Sequence, residues 1–394
     1  MLCSQPGGPV GQRSCREGFV MDVAVLVGGR SPEHDVSLAS AAQVLQHLDR
    51  DRWRVWPVLL DRDGSWWPAR APVAAGQPFS PRDRRGLLGP LRPGAALDHL
   101  LDRAGVGVVF PVLHGPFGED GTVQGMLELC DVPFVGSGCA ASAVAMDKLR
   151  TREVFAAAGV PLADAYVPRR PLGAEVDVAS EYAAMCAAIG TPAFVKVDAS
   201  GSTVGVNRVT SEAELGAFLG RFRGRFRRWF GERAIAGEEI TVAVLGNSGE
   251  RLQALPPVGI YPVVASWFTH DAKYTPGATE EVVPPRGLDS QQVAAVQALA
   301  IRCHEALVCD GMSRTDMIVT DDGPVVLETN TLPGMTSNSL LPRAAAAAGL
   351  TFPRLLDRLL SLALARHAGG TARTAAPAAE SGQPPVRAST TEGS

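Results

Sequence analysis

Arg314, Asp316, Glu328 and Asn330 sit two apart in two apolar runs, Ser313–Thr320 and Pro324–Thr331, separated by the turn signal Asp321-Asp-Gly323. A signal of this kind between β-branched runs predicts a hairpin folded about position 322. Folding there sets Asp316 opposite Glu328 and Arg314 opposite Asn330. Alternate residues of a strand share a face, so the four side chains form one polar cluster on a sheet surface. Two carboxylates and an amide carbonyl are hard oxygen ligands, able to hold Mg²⁺ while leaving positions free for phosphate oxygens. An arginine beside them can neutralise charge that develops during phosphoryl transfer. Read without its surroundings, the same stretch is a surface salt-bridge ladder.

The surroundings favour chemistry. Leu332-Pro-Gly-Met-Thr-Ser-Asn-Ser-Leu340 leaves the second strand as a Pro-Gly turn whose N–H groups and hydroxyls can bind a carboxylate or supply an oxyanion donor. Lys148 falls in a predicted helix and Lys196 at the end of a predicted buried strand, where a charge needs a partner. Lys196 is followed by Ser200-Gly-Ser-Thr-Val-Gly205, a small-residue loop that lets backbone N–H groups approach phosphates. It is not a Walker loop, because G-x-x-x-x-G-K-[ST] is absent, and by itself it is as compatible with a plain hairpin.

These groups are carried on alternating short apolar strands and amphipathic helices, the pattern of an α/β protein. Strands are predicted at Val23–Val27, Arg54–Leu60, Val106–Val112, Pro133–Gly138, Ala193–Val197, Val206–Val209, Glu238–Gly246 and Leu252–Ile260. Helices are predicted at Val36–Leu48, Gly121–Leu129, Ala143–Ala158 and Gln291–Leu307, and Ser211-Glu-Ala-Glu214 has the form of a capping box opening another. The first third reads as a doubly wound unit; Asp61–Leu100, rich in Pro and Gly, carries no assigned function. Residues 1–20 and 369–394 are rich in small and polar residues and cannot build a core, so they read as disordered tails, with Met21 as a candidate start.

Composition bounds the function. With 46% hydrophobic and 20% charged residues the chain has the balance of a globular protein. A net charge of −4 sets up no field that would favour nucleic acid or anionic lipid. The seven cysteines are scattered without a C-x-x-C pair, which fits reduced thiols rather than zinc or a disulfide framework. No apolar run reaches the roughly 18 residues of a membrane span, and no signal-peptide core is present. The expectation is a cytoplasmic protein that binds small molecules.

Six motifs sharpen it. Gly28-Gly-Arg-Ser-Pro-Glu-His-Asp-Val-Ser37, His114-Gly-Pro-Phe-Gly-Glu-Asp-Gly-Thr-Val-Gln-Gly125, Met146-Asp-Lys148, Gly201-Ser-Thr-Val-Gly205, Asp271-Ala-Lys-Tyr274 and Leu327-Glu-Thr-Asn-Thr-Leu-Pro-Gly-Met-Thr336 resemble, in order, the motifs of D-alanine–D-alanine ligases. The resemblance covers residues 22–366. It implies an N-terminal doubly wound, Rossmann-like (pre-ATP-grasp) domain at 21–136. A two-part α+β ATP-grasp domain would follow, its central part at 137–231 and its C-terminal part at 232–368. It also implies ATP as co-substrate, two Mg²⁺ (or Mn²⁺), a homodimer, and ligation of two D-alanines for peptidoglycan precursor synthesis.

Residue by residue, the resemblance places Glu33, Ser202 and Tyr274 at the first D-alanine and His114 near the amino-acid substrates. Lys148, Lys196 and Lys273 would contact ATP phosphates, with Glu232 and Glu239 at adenine and ribose. Asp316, Glu328 and Asn330 would hold metal, Arg314 and the Gly334 N–H the oxyanion, and Ser339 and Leu340 the second substrate's carboxylate. The loop 264–279 would be a lid over the acyl phosphate. The chain departs from the family pattern at Val197 after Lys196, at Gly259, at Thr269-His270, and at Arg227-Arg-Trp-Phe-Gly231 before Glu232. Alternatives are a same-fold ligase with D-lactate, D-serine or another acceptor, and a non-catalytic ATP-binding paralogue. A dinucleotide oxidoreductase is a third, weakened by the missing G-x-G-x-x-G.

Overall fold

The computed structural model describes residues 20–74, 76–77, 79–169, 171–172, 176–199, 205–263 and 279–374. Ser202, Lys273, Tyr274, the expected lid up to residue 278, and both expected tails up to 19 and from 375 lie outside these residues. Among the described residues no helix is long and apolar enough to cross a membrane.

The run Val23–Val27 carries no polar side chain and is buried throughout, so it can only be a strand covered on both faces. It forms the centre of β1 (Met21–Gly28). Helix α1 (His34–His47) returns the chain to β2 (Trp53–Leu60), parallel to β1, and β3 (Trp66–Pro68) adds antiparallel to β2. The Pro- and Gly-rich stretch continues through α2 (Pro93–Asp98) and a π-helical turn at His99–Arg103. It ends in β4 (Val108–Leu113), parallel to β1 on its other side. In the order β3-β2-β1-β4 the chain leaves β1 toward one edge and returns at the other. The crevice at the C-terminal ends of β1 and β4 is therefore a topological switch point, where such sheets bind ligands. Gly28 makes the exit from β1 possible: its φ is +89° and a Cβ there would lie 2.5 Å from the Leu60 carbonyl oxygen.

Two expectations change after α3 (Thr122–Leu129). Pro133–Gly138 is not a strand but a single parallel bridge, Val109 to Phe134, because Gly136 at φ +101° turns the chain away. The helix predicted over Ala143–Ala158 is two, α4 (Cys139–Met146) and α5 (Lys148–Ala157). Asp147 takes an extended conformation between them and its carboxylate accepts the Leu149 and Arg150 N–H groups, opening a new helix with Lys148 as its first residue.

A second, antiparallel sheet has the order β5-β8-β6-β7, from β5 (Ala165–Tyr166), β6 (Ala193–Val197), β7 (Val206–Val209) and β8 (Trp229–Arg233). Helices α6 (Val178–Ile189) and α7 (Glu212–Phe222) cover it, burying Met185, Ile189, Leu215 and Phe218 on Val195 and Trp229 in a core of its own. Ser211 caps α7 as its motif predicts, while the Glu214 carboxylate reaches Thr210 N–H, one residue short of the reciprocal bond of a full capping box. Since β8 runs to Arg233, Glu232 belongs to this sheet and not to the one that follows.

The third sheet has the order β12-β11-β9-β13-β14 with β10 on β9. Its strands are β9 (Glu238–Leu245), β10 (Gln253–Ala254), β11 (Val258–Pro262), β12 (Thr279–Val282), β13 (Met312–Thr320) and β14 (Gly323–Asn330). The single strand expected over Leu252–Ile260 is split because Pro256 and Pro257 cannot donate to a ladder. Helix α8 (Ser290–Ala306) packs Val296, Leu299, Ala300 and Cys303 onto Ile240, Val242, Met317 and Val326. That leaves the opposite face free for polar groups. Helices α9 (Leu340–Ala347) and α10 (Phe352–Thr374) bring Leu341, Leu355, Leu356 and Leu359 into one core with Val23, Val25, Val27, Ala243 and Met312, fusing the first and third sheets. Helix α10 continues to Thr374, past Gly369, where composition predicts a tail.

His304 of α8 is fully buried, its Nδ1 2.8 Å from the Ser313 hydroxyl, and burial pushes its pKa down to about 4. A histidine depressed in the fold stays neutral there while the unfolded chain takes up a proton below about 6.5, so stability is lost as pH falls from 6.5 to 4. Replacing His304 by Gln should flatten the fall in melting temperature across that window, whatever it does to stability at pH 7.5. An unchanged slope would show that His304 does not carry the acid sensitivity.

Candidate active site

The hairpin of β13 and β14 turns through Asp321 and Asp322, with Thr320 paired to Gly323. Up to Met317 and Val326 the register is that of a two-residue turn, one residue away from folding about 322. A bulge then inserts Leu327 between Val326 and Glu328, and beyond it Asp316 pairs with Glu328 and Arg314 with Asn330. The predicted pairs are met, but an irregularity absent from the prediction produces them, and it also turns Leu327 toward the cleft.

Arg314 is 6% exposed and donates twice to Asp316, from Nε at 2.9 Å and Nη2 at 2.7 Å. Burial works against its charge, but Asp316, then Glu328 and Glu119, override that and hold its pKa above the ordinary value. Thr241, opposite Asp316 on β9, donates its hydroxyl to Asp316 Oδ1 at 2.6 Å. Glu239, two residues before Thr241 and on the same face, is pushed up to about 8, by burial first and then by Asp316 and Glu328. Lys148 reaches across from α5 to Glu328 at 3.1 Å. Lys196 of β6 and Arg152 of α5 both pair with Glu232, which is 4% exposed, and Arg152 also donates to the Ala163 carbonyl at 2.6 Å.

The switch-point crevice supplies the opposite wall. His114 lies between Ser40, 3.1 Å from Nε2, and Glu119, 3.2 Å from Nδ1, and the Ser40 hydroxyl accepts the Met335 N–H at 3.4 Å. Gly115 takes φ +67°, a conformation strained for any side chain, and a Cβ there would press on the tips of Glu33 and Ser31, displacing Glu33 from its place in the crevice. After β14 the Asn330 amide oxygen accepts the Leu332 N–H at 2.9 Å. The Ser339 hydroxyl accepts the Thr336 N–H at 2.9 Å and does not cap α9, whose first residue, Leu340, lines the cleft.

Glu33, His114, Lys148, Lys196, Glu232, Glu239, Arg314, Asp316, Glu328, Asn330, Gly334, Ser339 and Leu340 all line one cleft of about 1400 Å³. A single small-molecule site typically occupies roughly 300–1,000 Å³, so the cleft has room for more than one reactant. Among the described residues no three carboxylates, imidazoles or thiolates are arranged as a ready metal centre.

Two family models match the chain: the D-ala D-ala ligase N-terminus over residues 22–137 and the D-ala D-ala ligase C-terminus over residues 154–361. The chain belongs to the D-alanine–D-alanine ligase family. A D-alanine–D-alanine ligase of Mycobacterium bovis (strain BCG / Pasteur 1173P2) is 40% identical over 88% of this chain and 96% of its own length. Another, of Mycobacterium sp. (strain KMS), is 38% identical over 88% and 97%. The solved D-alanine–D-alanine ligase of Coxiella burnetii superposes with a TM-score of 0.70 at 28% identity, covering 90% of this chain and 97% of that one. That of Bacillus anthracis complexed with ATP gives 0.67 at 27%, covering 89% and 100%.

For a ligase of this family, four residues outside the predicted set, Glu119, Ser40, Thr241 and Arg152, hold groups that line the cleft. Glu119 lies inside a recognised motif, and Ser40 lies one helical turn beyond Ser37; both hold His114. Thr241 could have been found from its alternation with Glu239. Arg152, four residues after Lys148 on the same helix, carries no sequence signal that it would meet Glu232. Thr241→Val nearly preserves shape and removes only the hydroxyl that donates to Asp316. It should lower kcat about tenfold, the equivalent of about 1.4 kcal/mol, with little change in melting temperature. An unaltered kcat would mean that the Arg314 fork holds Asp316 unaided.

Proposed function

We propose that this cleft performs its family's reaction, the ATP-dependent joining of two D-alanines for peptidoglycan precursor synthesis. The observation that carries the reading is geometric. Two lysines, one from α5 and one from the second sheet, and a cluster of arginine, carboxylates and amide from the third sheet meet in one cleft beside the switch-point crevice.

A carboxylate is a poor electrophile because its oxygen cannot leave. Transfer of the γ-phosphoryl group of ATP to the first D-alanine gives ADP and an acyl phosphate. The second amine then attacks the carbonyl carbon, loses a proton and expels phosphate. Glu33, Ser202 and Tyr274 orient the first substrate, and His114, held by Ser40 and Glu119, lies beside the amino acids. Lys148, Lys196 and Lys273 meet the phosphates, and Glu232 and Glu239 the adenine and ribose. Lys148 and Lys196 now rest on Glu328 and Glu232, so nucleotide binding exchanges one anionic partner for another. Arg314 and the Gly334 N–H face the tetrahedral oxyanion, and Ser339 with Leu340 at the start of α9 takes the acceptor's carboxylate. The loop 264–279 excludes water from the acyl phosphate.

The donor set of Asp316, Glu328 and Asn330 fits two Mg²⁺ (or Mn²⁺) that take their remaining ligands from phosphate oxygens. The fit rests on the chemistry of the set: two carboxylates and an amide, all hard oxygen donors, stand at neighbouring positions of β13 and β14 and line the cleft beside Lys148. Bound there, the cations would supply charge that lowers the barrier to phosphoryl transfer. The reading also includes a substrate-binding domain at 21–136 followed by the two-part ATP-grasp domain, a homodimer, and a cytoplasmic location.

Phosphate release with a panel of D- and L-amino acids, D-serine and D-lactate tests the acceptor. D-alanine should be preferred as both substrates; preference for D-lactate or another acceptor would replace the dipeptide reading. Glu328→Gln should retain the fold and lower Mg²⁺-dependent turnover roughly 100-fold. Near-normal turnover at limiting Mg²⁺ would sink the metal assignment.

A further inference from the structure

The two arginines before Glu232 stand where the family pattern is apolar, and one of them has a precise location. Arg228 immediately precedes β8. Its Nη2 donates to Asp147 Oδ2 at 2.5 Å and its Nε to Asp198 Oδ2 at 3.1 Å. Asp147 caps α5 and directly precedes Lys148. Asp198 lies two residues after Lys196, its side chain is 7% exposed, and its carbonyl accepts the Lys148 N–H at 2.8 Å. The Asp198 N–H in turn donates to the Arg228 carbonyl at 3.1 Å. One guanidinium thus spans the roots of both lysine-bearing segments.

The two segments belong to different cores. Phe155 of α5 is buried with the third sheet, whereas Val195, Val197 and Trp229 are buried in the second sheet. The junction beside the lysines is polar, and a planar fork with fixed donor directions orients two carboxylates in a way that a greasy contact cannot. Asp198 withdrawn from water requires a counter-charge. Without one, its negative charge would lie beside the place where the triphosphate is to bind.

We propose that Arg228 is a positioning residue for ATP: it locks Lys148 and Lys196 at one spacing and neutralises the Asp147 and Asp198 carboxylates beside the phosphate subsite. The inference rests on the assignment of those two lysines to ATP phosphates.

Arg228→Gln should raise the KM for ATP about tenfold, and the Kd for Mg²⁺-ATP measured by calorimetry without D-alanine by a similar factor. The KM for D-alanine and the kcat at saturating ATP should stay within about twofold. Arg228→Lys, which keeps the charge but loses the fork, should recover part of the loss. Adding Asp198→Asn to Arg228→Gln should also recover part of it by removing the uncompensated carboxylate. A KM for ATP within twofold of the parent overturns the proposal. So does a rise shared equally by ATP and D-alanine, which would mark a purely structural arginine. Lys196→Ala serves as the control. If it weakens ATP and Arg228→Gln does not, the Arg228 inference alone fails; if Lys196→Ala leaves ATP binding intact, the underlying lysine assignment falls, and the inference with it.

Discussion

Ionic groups taken out of water must be answered by groups of opposite sign at close range, and most of this cleft follows from that requirement. Arg314 is almost fully enclosed, so it needs Asp316 in a two-point contact; Asp316, tied on one side, is tied on the other by Thr241. Glu328 next in the ladder draws Lys148 from a different helix, and Glu232 draws Lys196 and Arg152. Each pairing has directional and distance demands that apolar packing lacks, so the charges fix the relative placement of strands from two sheets and one helix. Glu239 lies enclosed beside Asp316 and Glu328, and burial first, then those two carboxylates, push its pKa up to about 8.

Apolar packing supplies the frame within which this balance operates. The first and third sheets share one core through α9 and α10, so the switch-point crevice and the charged face of the third sheet form two walls of a continuous body. The second sheet carries its own core and meets α5 and its cap Asp147 through ions and hydrogen bonds. Reactant phosphates can compete for polar contacts of that kind, whereas they could not displace a buried leucine. The lysines therefore sit on the polar seam, whereas Arg314 and Gly334 sit on the fused part.

Much of this was legible along the chain. The polar residues two apart in β13 and β14 announced a shared face, and the six motifs named the family and, among the cleft's charged groups, Glu33, Lys148 and Glu328. Local signals were weaker guides to boundaries. Asp147 was seen as a helix-interior residue, although a carboxylate that accepts two N–H groups is as good a reason to start a helix as to continue one. Pro256 and Pro257 broke a strand that hydrophobicity alone would have kept whole. The hairpin came out with the predicted pairs only because a bulge at Leu327 offset a turn one residue shorter in register than expected.

Residue types and short spacings are properties of the chain, and from them followed the α/β class, the order of elements, the hairpin pairs and the chemistry that Arg314, Asp316, Glu328 and Asn330 can do. Partnerships between groups far apart in the chain had no such signal. That Arg152 would meet Glu232, that Ser40 would meet His114 and Met335, and that Arg228 would bridge Asp147 and Asp198 depended on how three sheets pack. The reason is physical: strand and helix periods relate residues a few positions apart, whereas a contact across some 80 residues is set by the burial of cores that the two partners do not themselves belong to.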